Sequence, residues 1–292
     1  MLFLLRTIEK RRQLKLAEEN FKRSFKSKVY FFFVHLFVFI VFTVITQIGG
    51  ILYLIALFTA RKIKVYKAFV GTFVFLTIYI ISTAWIVPKV APFFGREKIE
   101  DSNYIKAHSP FYVWTNRNYV TPKLQNVLKE VALSFEENNA GIKLIYLDAN
   151  FPFIDGFPLL PHRYHGDGKK IDVTFVYEEN KELTNKKPSY SGYGYFEEPL
   201  PGEINQIEDC FARGYGQYDF TKHITLGITN PNLEFSIPGN KEFIEMVLEK
   251  DAVNTIFIEP HLKHRLSLQN AKIIYHGCGT VRHDDHIHIQ VD

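Results

Sequence analysis

Residues 281–291 of this 292-residue chain read Val281-Arg282-His283-Asp284-Asp285-His286-Ile287-His288-Ile289-Gln290-Val291. From His286 onward, polar and apolar residues alternate, and a period of two is typical of a strand with one buried face. We expect His286 and His288 to lie on the same face, away from the apolar layer. Two neighbouring imidazoles can supply a metal ligand and a proton-transfer group, but a catalytic zinc has three protein ligands. The pattern therefore predicts further ligands elsewhere in the chain.

A second alternating strand lies upstream, and a turn that contains two glycines precedes it. The turn holds His165, and the strand presents Asp172 on its polar face. The glycines allow the imidazole to fold back over the carboxylate. With His288, these residues make a set of two nitrogens and one oxygen that leaves one position for water. We predict one zinc ion with His165, Asp172 and His288 as its ligands.

The alternative interpretation is a solvated, His-rich strand without a metal. The chain has eleven His residues in 292. The patterns H-x2-H-x-H and H-x2-G-x3-D would occur together by chance in fewer than roughly one such chain in a thousand. The pairing of the two motifs therefore favours the metal site.

These motifs resemble those of the superfamily that joins D-Ala-D-Ala metallopeptidases, penicillin-insensitive murein endopeptidases and the hedgehog signalling domain. Its members carry H-x6-D, followed much later by H-x-H. Here the first element runs from His165 to Asp172 with Gly168 at the family's glycine position, and the second is His286-Ile287-His288. The additional His283 makes the murein endopeptidases the most similar group by motif.

The resemblance covers about thirty of the 292 residues, and it has two departures. Arg163 stands where many members have serine, and Lys170 stands where they have a small residue. The resemblance implies peptide-bond hydrolysis at the zinc ion.

Proton transfer in such a reaction needs a general base beside the metal. No Glu neighbours His288, so we predict that His286 or His283 accepts the proton and passes it to the leaving amine. Asp284 or Asp285 would orient one of those rings. We also assign a catalytic role to Arg163, which borders the first motif and would polarise a substrate carbonyl or hold a carboxylate.

We therefore expect a zinc metallopeptidase that hydrolyses peptide bonds in peptidoglycan stem peptides or cross-links. A first alternative is a zinc-containing, non-catalytic module that binds a cell-wall peptide or a protein partner, as the hedgehog domain does. A second is a D,D-carboxypeptidase or dipeptidase with Arg163 as the grip for the substrate carboxylate. His283 and His286 exceed what metal binding needs, which favours an enzyme.

The N-terminal part of the chain predicts a membrane anchor. Residues 1–28 hold nine Lys or Arg and three Glu, which we interpret as a cytoplasmic segment and a topology signal, with no nucleic-acid partner. Residues 29–88 form the transmembrane region, in contact with membrane lipid. The apolar run 29–60 would make a helix of about 48 Å, too long for one span of about 30 Å. We predict a hairpin there, with a turn near residues 46–50, and a single span at 65–87.

The basic loop between the two apolar runs predicts the side on which the C-terminal domain lies. If positive charge stays inside, the hairpin returns to the cytoplasm, and the last helix delivers the catalytic domain outside the cytoplasmic membrane. One continuous first span would instead place this domain in the cytoplasm. Cys210 and Cys278 are the two cysteines; they are either a disulfide of an oxidising compartment or two unrelated thiols.

For the remainder we predict a linker and entry segment at 89–120 and a zinc peptidase-like domain at 121–292. Helices are expected after Thr121-Pro122 and at 240–250. Strands outnumber helices, which predicts an α+β fold with a mostly antiparallel sheet and the zinc site on one face.

A long Tyr/Gly/Pro-rich segment, 181–203, is either a wall of the substrate cleft or a disordered surface insert. Among the other histidines, we expect His261 and His264 to lie on the surface, although their i,i+3 spacing also suits metal ligands, and we expect His276 to be a structural residue.

Overall fold

The computed structural model describes residues 2–61, 63, 66–160 and 165–292. Two compact units make up the chain, Met1–Tyr79 and Ile80–Asp292. The α-helices are α1 (Leu2–Thr46), α2 (Gly49–Ala60), α3 (Lys67–Ile81), α4 (Val87–Val90), α5 (Pro110–Trp114), α6 (Pro122–Asn138), α7 (Gln206–Ala212), α8 (Ile237–Leu248) and α9 (Pro260–Arg265). A π-helix (Ser82–Ile86) and two 3₁₀ helices (Ala91–Phe94 and Gly216–Ile224) complete the helical elements of the described residues.

The strands are β1 (Glu97–Lys98), β2 (Ile105–Ala107), β3 (Tyr119–Val120), β4 (Leu144–Tyr146), β5 (Lys170–Thr174), β6 (Tyr177–Glu179), β7 (Glu182–Thr184), β8 (Glu234–Phe235), β9 (Val253–Phe257), β10 (Ile273–Ile274) and β11 (His286–Val291). Together with the helices they form a mixed α+β structure, as the sequence predicted.

The N-terminal unit is helical, and its first apolar run is interrupted at Gln47. This residue has a positive φ of 66°, and α2 returns along α1. Gly50 permits the close approach, because a Cβ atom there would lie 1.9 Å from Thr43 Oγ1 and 2.7 Å from the Phe39 carbonyl oxygen. A larger residue at position 50 would push the two helices apart.

Two helical stretches are long and apolar enough to cross a membrane, Lys15–Thr46 and Ala68–Phe94. The helix α2 is apolar but shorter. These properties are consistent with membrane anchoring, and a signal sequence near the N-terminus would share them.

The main sheet of the second unit has six strands in the order β10-β9-β11-β5-β4-β2. The three central pairings are antiparallel, but β10 pairs with β9 and β2 pairs with β4 in parallel. The prediction of a mostly antiparallel sheet was therefore wrong. The physical reason is the helical connections: α9 lies between β9 and β10, while α5 and α6 lie between β2 and β4, and such crossovers join parallel strands.

The hydrophobic core lies between one face of this sheet and the helices α6 and α8. Helix α6 begins where predicted, and Thr121 Oγ1 caps it by accepting a hydrogen bond from the Leu124 backbone N–H. The apolar residues along one side of this helix, Leu124, Val127, Leu128, Val131 and Phe135, are buried, and so are Ile171 and Ile287 on the sheet. This packing directs the alternate residues of β5 and β11 to the opposite face, where the polar side chains lie.

Two further features complete the second unit. The segment Ile105–Ala107, within the stretch predicted as a linker, is an edge strand of the main sheet. Cys210 of α7 forms a disulfide with Cys278, so the two cysteines are paired and are not two unrelated thiols.

Candidate metal centre

The centre is built on the pairing of β5 with β11. Asp172 and His288 are directly opposite each other in the antiparallel register. Side chains at such positions point to the same face with their Cβ atoms about 5 Å apart. As a result, His288 Nδ1 lies 2.9 Å from Asp172 Oδ1.

The third residue of the cluster comes from the turn before β5. His165 Nε2 lies 3.2 Å from Asp172 Oδ1 and 3.1 Å from His288 Nδ1. Gly168 makes the turn possible, because its φ is +77° and a Cβ atom there would lie 2.4 Å from Arg96 Nε. The structure thus brings together the three predicted ligands, which form a group that could hold a metal ion.

The spacing of the three ligand atoms fits a divalent metal. Around a tetrahedral zinc ion with bonds of about 2.0–2.1 Å, ligand atoms lie about 3.3 Å apart. The corresponding distances here are 2.9, 3.1 and 3.2 Å. Two imidazole nitrogens with one carboxylate oxygen suit zinc and several other first-row metals.

Outer contacts fix the orientation of these ligands. His165 Nδ1 donates to the Ala149 carbonyl oxygen at 2.8 Å, which leaves Nε2 of the same ring to face the cluster. The Tyr193 hydroxyl donates to Asp172 Oδ2 at 2.8 Å, so Oδ1 is the oxygen that faces the histidines. Such contacts set the tautomer and the direction of metal ligands.

The cluster lies beneath the protein surface, with His165 1%, Asp172 0% and His288 4% exposed. Burial lowers the pKa of His288 to about 3, although the hydrogen bond with Asp172 opposes the shift. The ring is therefore neutral at neutral pH, and neutral imidazole is the form that binds metal.

The two remaining histidines of the C-terminal motif lie beside this cluster. His286 Nε2 is 3.7 Å from Asp172 Oδ1, and His286 Nδ1 is hydrogen-bonded to the Asp285 carboxylate. The ring centre of His283 is 5.0 Å from that of His286. Burial lowers the pKa of His283 well below its ordinary value, and the neighbouring imidazoles add to the shift.

Of the two aspartates considered for orienting a ring, Asp285 is the one that contacts His286. Its other carboxylate oxygen accepts a hydrogen bond of 2.6 Å from the Gly194 N–H. Asp284 instead accepts from Arg282 Nε at 2.9 Å, and the Arg282 guanidinium lies 3.8 Å from the centre of the Phe196 ring. Asp284 thus stabilises the turn at the start of the C-terminal histidine motif.

Arg163, to which we assigned a catalytic role, lies outside the described residues, as does the rest of 161–164. Of the expectations for the other histidines, the one for His261 was wrong, because His261 is fully buried and its Nε2 donates to the Glu197 carbonyl oxygen at 2.7 Å. His264 is exposed, as predicted. The ring of His276 stacks on Phe257, with 4.2 Å between the ring centres, and its centre lies 5.4 Å from that of His283.

Tyr193 is the site residue that the sequence prediction missed. It belongs to the Tyr/Gly-rich segment proposed as a cleft wall, and its ring centre lies 5.1 Å from that of His286. The Tyr/Gly/Pro-rich composition of residues 181–203 indicated a cleft wall as one of two alternatives, but it did not distinguish Tyr193 from the other tyrosines of the segment.

A cavity of about 510 Å³ adjoins Tyr193 on this side of the molecule. Its walls include the aromatic rings of Phe111, Tyr112 and Tyr190. Arg117 and Asp148 also line it, and Arg117 Nε lies 2.8 Å from Asp148 Oδ1. The cavity therefore combines a largely aromatic wall with one buried ion pair.

No protein-family model matches this chain, and no curated protein is significantly similar to it.

Proposed function

We propose that the chain is a membrane-anchored zinc metallopeptidase that hydrolyses peptide bonds in peptidoglycan stem peptides or cross-links. The observation that carries the proposal is a second, oriented imidazole beside the three-ligand set. A site that only held a metal would need His165, Asp172 and His288. His286, hydrogen-bonded to Asp285 and 3.7 Å from the ligand carboxylate, goes beyond that need.

The hydrogen bond to Asp285 defines which nitrogen of His286 exchanges protons. A zinc ion held by the three ligands would supply Lewis-acid polarisation of the scissile carbonyl and a lower pKa for a water molecule. Because His286 Nδ1 donates to Asp285, Nε2 is the nitrogen that accepts the proton of water. The same Nε2 then donates this proton to the leaving amine.

His283 and Arg163 have supporting roles in this proposal. His283 is buried next to His286, and its lowered pKa keeps it neutral, so it is the second candidate for the proton acceptor. The role of Arg163 in holding the substrate carbonyl or carboxylate rests on its place in the sequence motif.

The proposed substrate class rests on the motif resemblance. The proposed location of the protein, at the membrane with its second unit outside the cytoplasm, rests on two structural features. The apolar helices support membrane anchoring. The Cys210–Cys278 disulfide supports an oxidising compartment for the second unit, because structural disulfides persist outside the reducing cytoplasm. We assign the cavity beside Tyr193 to the substrate peptide, since ligand sites are concave and largely apolar with few polar groups.

One observation favours a different function, a zinc-containing binding module without catalysis. The three ligands are at most 4% exposed, so a metal ion held by them would lie beneath the surface, out of contact with bulk solvent. In that case a cell-wall peptide or a protein partner would bind at the surface, and the metal would only stabilise the fold.

Digestion of purified, cross-linked muropeptides by the zinc-loaded full-length chain tests the proposal, with products identified by mass spectrometry. We expect new amines and carboxylates at a peptide bond. The variant His286→Ala should keep its zinc and lose about a hundredfold or more in rate, the scale of a missing general acid–base group.

His264→Ala serves as the matched control, because this histidine belongs to α9 and not to the cluster. A wild-type protein that binds muropeptides without cleaving them would support the binding module. Full activity of the His286→Ala variant would contradict the role of His286.

A further inference from the structure

A groove between α1 and α2 in the N-terminal unit has a volume of about 560 Å³. Apolar side chains of both helices line it, among them Phe32, Phe39 and Leu57. Two basic residues, Lys28 and Arg61, also line it. The groove is therefore apolar along its length and basic where these two side chains lie.

The antiparallel arrangement of the helices brings the two basic residues to the same end of the groove. His35 Nδ1 lies 2.6 Å from the Tyr53 hydroxyl oxygen, which fixes the register of the hairpin. Lys28 precedes His35 by about two helical turns, and Arg61 follows Tyr53 by about two. Both lie at the end remote from the turn at Gln47.

Among the described residues, none of the third helix of this unit lines the groove. The ring centre of Phe75 in α3 lies 4.8 Å from that of Phe42, on which it stacks, and 6.2 Å from that of Tyr53. Neither Phe42 nor Tyr53 lines the groove. On the groove side, Phe32 is 62% and Phe58 is 59% exposed. In a unit of this composition, such side chains are suited to contact acyl chains rather than water.

Among the residues that the structure describes, no acidic side chain pairs with the charges at the groove end. Residues 29–60 contain no Asp or Glu, and within the described part of the chain no ion pair involves Lys28 or Arg61. The Arg61 guanidinium lies 4.6 Å from the centre of the Phe58 ring, at the junction of the basic and apolar surfaces. A complementary ligand must therefore bring a negative charge joined to an apolar chain.

We propose that this groove is a binding site for an anionic phospholipid. The lipid phosphate lies between Lys28 and Arg61, and one acyl chain follows the apolar side chains toward Phe39. Basic pockets between membrane helices bind anionic headgroups in this way. The site is independent of the metal centre and of its proposed chemistry.

Native mass spectrometry of the full-length chain in detergent tests this inference, with palmitoyl-oleoyl phosphatidylglycerol and the matching phosphatidylcholine as probes. We expect the wild type to bind phosphatidylglycerol more tightly by about tenfold or more, because each cation near the headgroup contributes to the attraction. The variant Lys28→Gln/Arg61→Gln should bind the two lipids within about twofold of each other.

Lys22→Gln/Lys26→Gln is the matched control, because it removes the same charge from α1 at residues that do not line the groove. It should keep the preference for phosphatidylglycerol. Equal loss in both double variants would overturn the site in favour of diffuse attraction to the basic segment, and equal binding of the two lipids by the wild type would also overturn it.

A further variant, Leu57→Trp, fills the groove while both cations remain. It should weaken phosphatidylglycerol binding at least about fivefold, since the acyl chain loses its place. Unchanged binding by this variant would overturn the groove as the acyl-chain site, and this result would hold even if the charge variants failed to fold.

Discussion

Asp172 uses its two carboxylate oxygens for different contacts. Oδ1 lies within 3.2 Å of nitrogens of His165 and His288, whereas Oδ2 accepts the hydrogen bond from Tyr193. The Tyr193 hydroxyl also accepts a hydrogen bond of 3.2 Å from the Asp148 N–H. One hydroxyl group thus ties the carboxylate of the candidate metal centre to the backbone beyond β4.

We predict that Tyr193→Phe lowers zinc affinity about tenfold while the three ligands remain, which is the lower end of the effect of removing such an outer contact. Competition with a chromophoric chelator measures the affinity. Tyr190→Phe is the control, because it removes a hydroxyl from the same segment at a residue that is 61% exposed. Equal zinc affinity of Tyr193→Phe and wild type would show that this hydrogen bond does not hold the ligand.

At the level of secondary-structure elements, alternation in the sequence predicted the part of the fold on which the site depends. It placed Asp172 and His288 on polar strand faces, and the register of β5 with β11 joins these faces. The short edge strands β2 and β10, of three and two residues, carry too little periodicity to reveal their direction. Their parallel pairing depends on the helical crossovers and not on local sequence.

Two contacts at the site were not predicted from the sequence. The hydroxyl of Tyr193 reaches Asp172 across 21 residues, and no spacing rule connects a loop tyrosine with a strand carboxylate. No pattern in the sequence indicated that His276 lies beside His283. Only the folded turn brings the two rings within 5.4 Å.

The disulfide joins α7 to the segment that leads into β11. It closes a sequence separation of 68 residues, and a cross-link of this length restricts the unfolded chain strongly. We predict that Cys210→Ala/Cys278→Ala lowers the free energy of unfolding of the second unit by about 2–4 kcal/mol.

Denaturant unfolding of the wild type and the variant measures this difference, and the wild type in reducing agent should behave like the variant. If neither the substitution nor reduction moves the unfolding midpoint, the disulfide contributes nothing to the stability of the unit.

For the molecule as a whole, the position of the second unit relative to the membrane depends on α2. This helix has 12 residues and rises about 18 Å, less than the roughly 30 Å of hydrocarbon. It can return the chain to the inner side if Arg61 extends to the headgroups and the bilayer thins locally. The proposed location outside the cytoplasmic membrane requires this return.

Reporter fusions test the topology. We predict that a reporter that is active only outside the cytoplasm works after Asp292 and is silent after residue 64, because the basic segments stay inside. The opposite pattern would place the second unit in the cytoplasm, where peptidoglycan is out of reach.

We propose that His165, Asp172 and His288 together hold one catalytic metal ion. The most direct measurement is the zinc content of the purified full-length chain by inductively coupled plasma mass spectrometry, for the wild type and for His165→Ala, Asp172→Ala and His288→Ala. We predict about one zinc ion per wild-type chain, as in a mononuclear site, and little in each variant. A wild type that takes up no zinc, or three variants that keep their full zinc content, would contradict this assignment of the metal ligands.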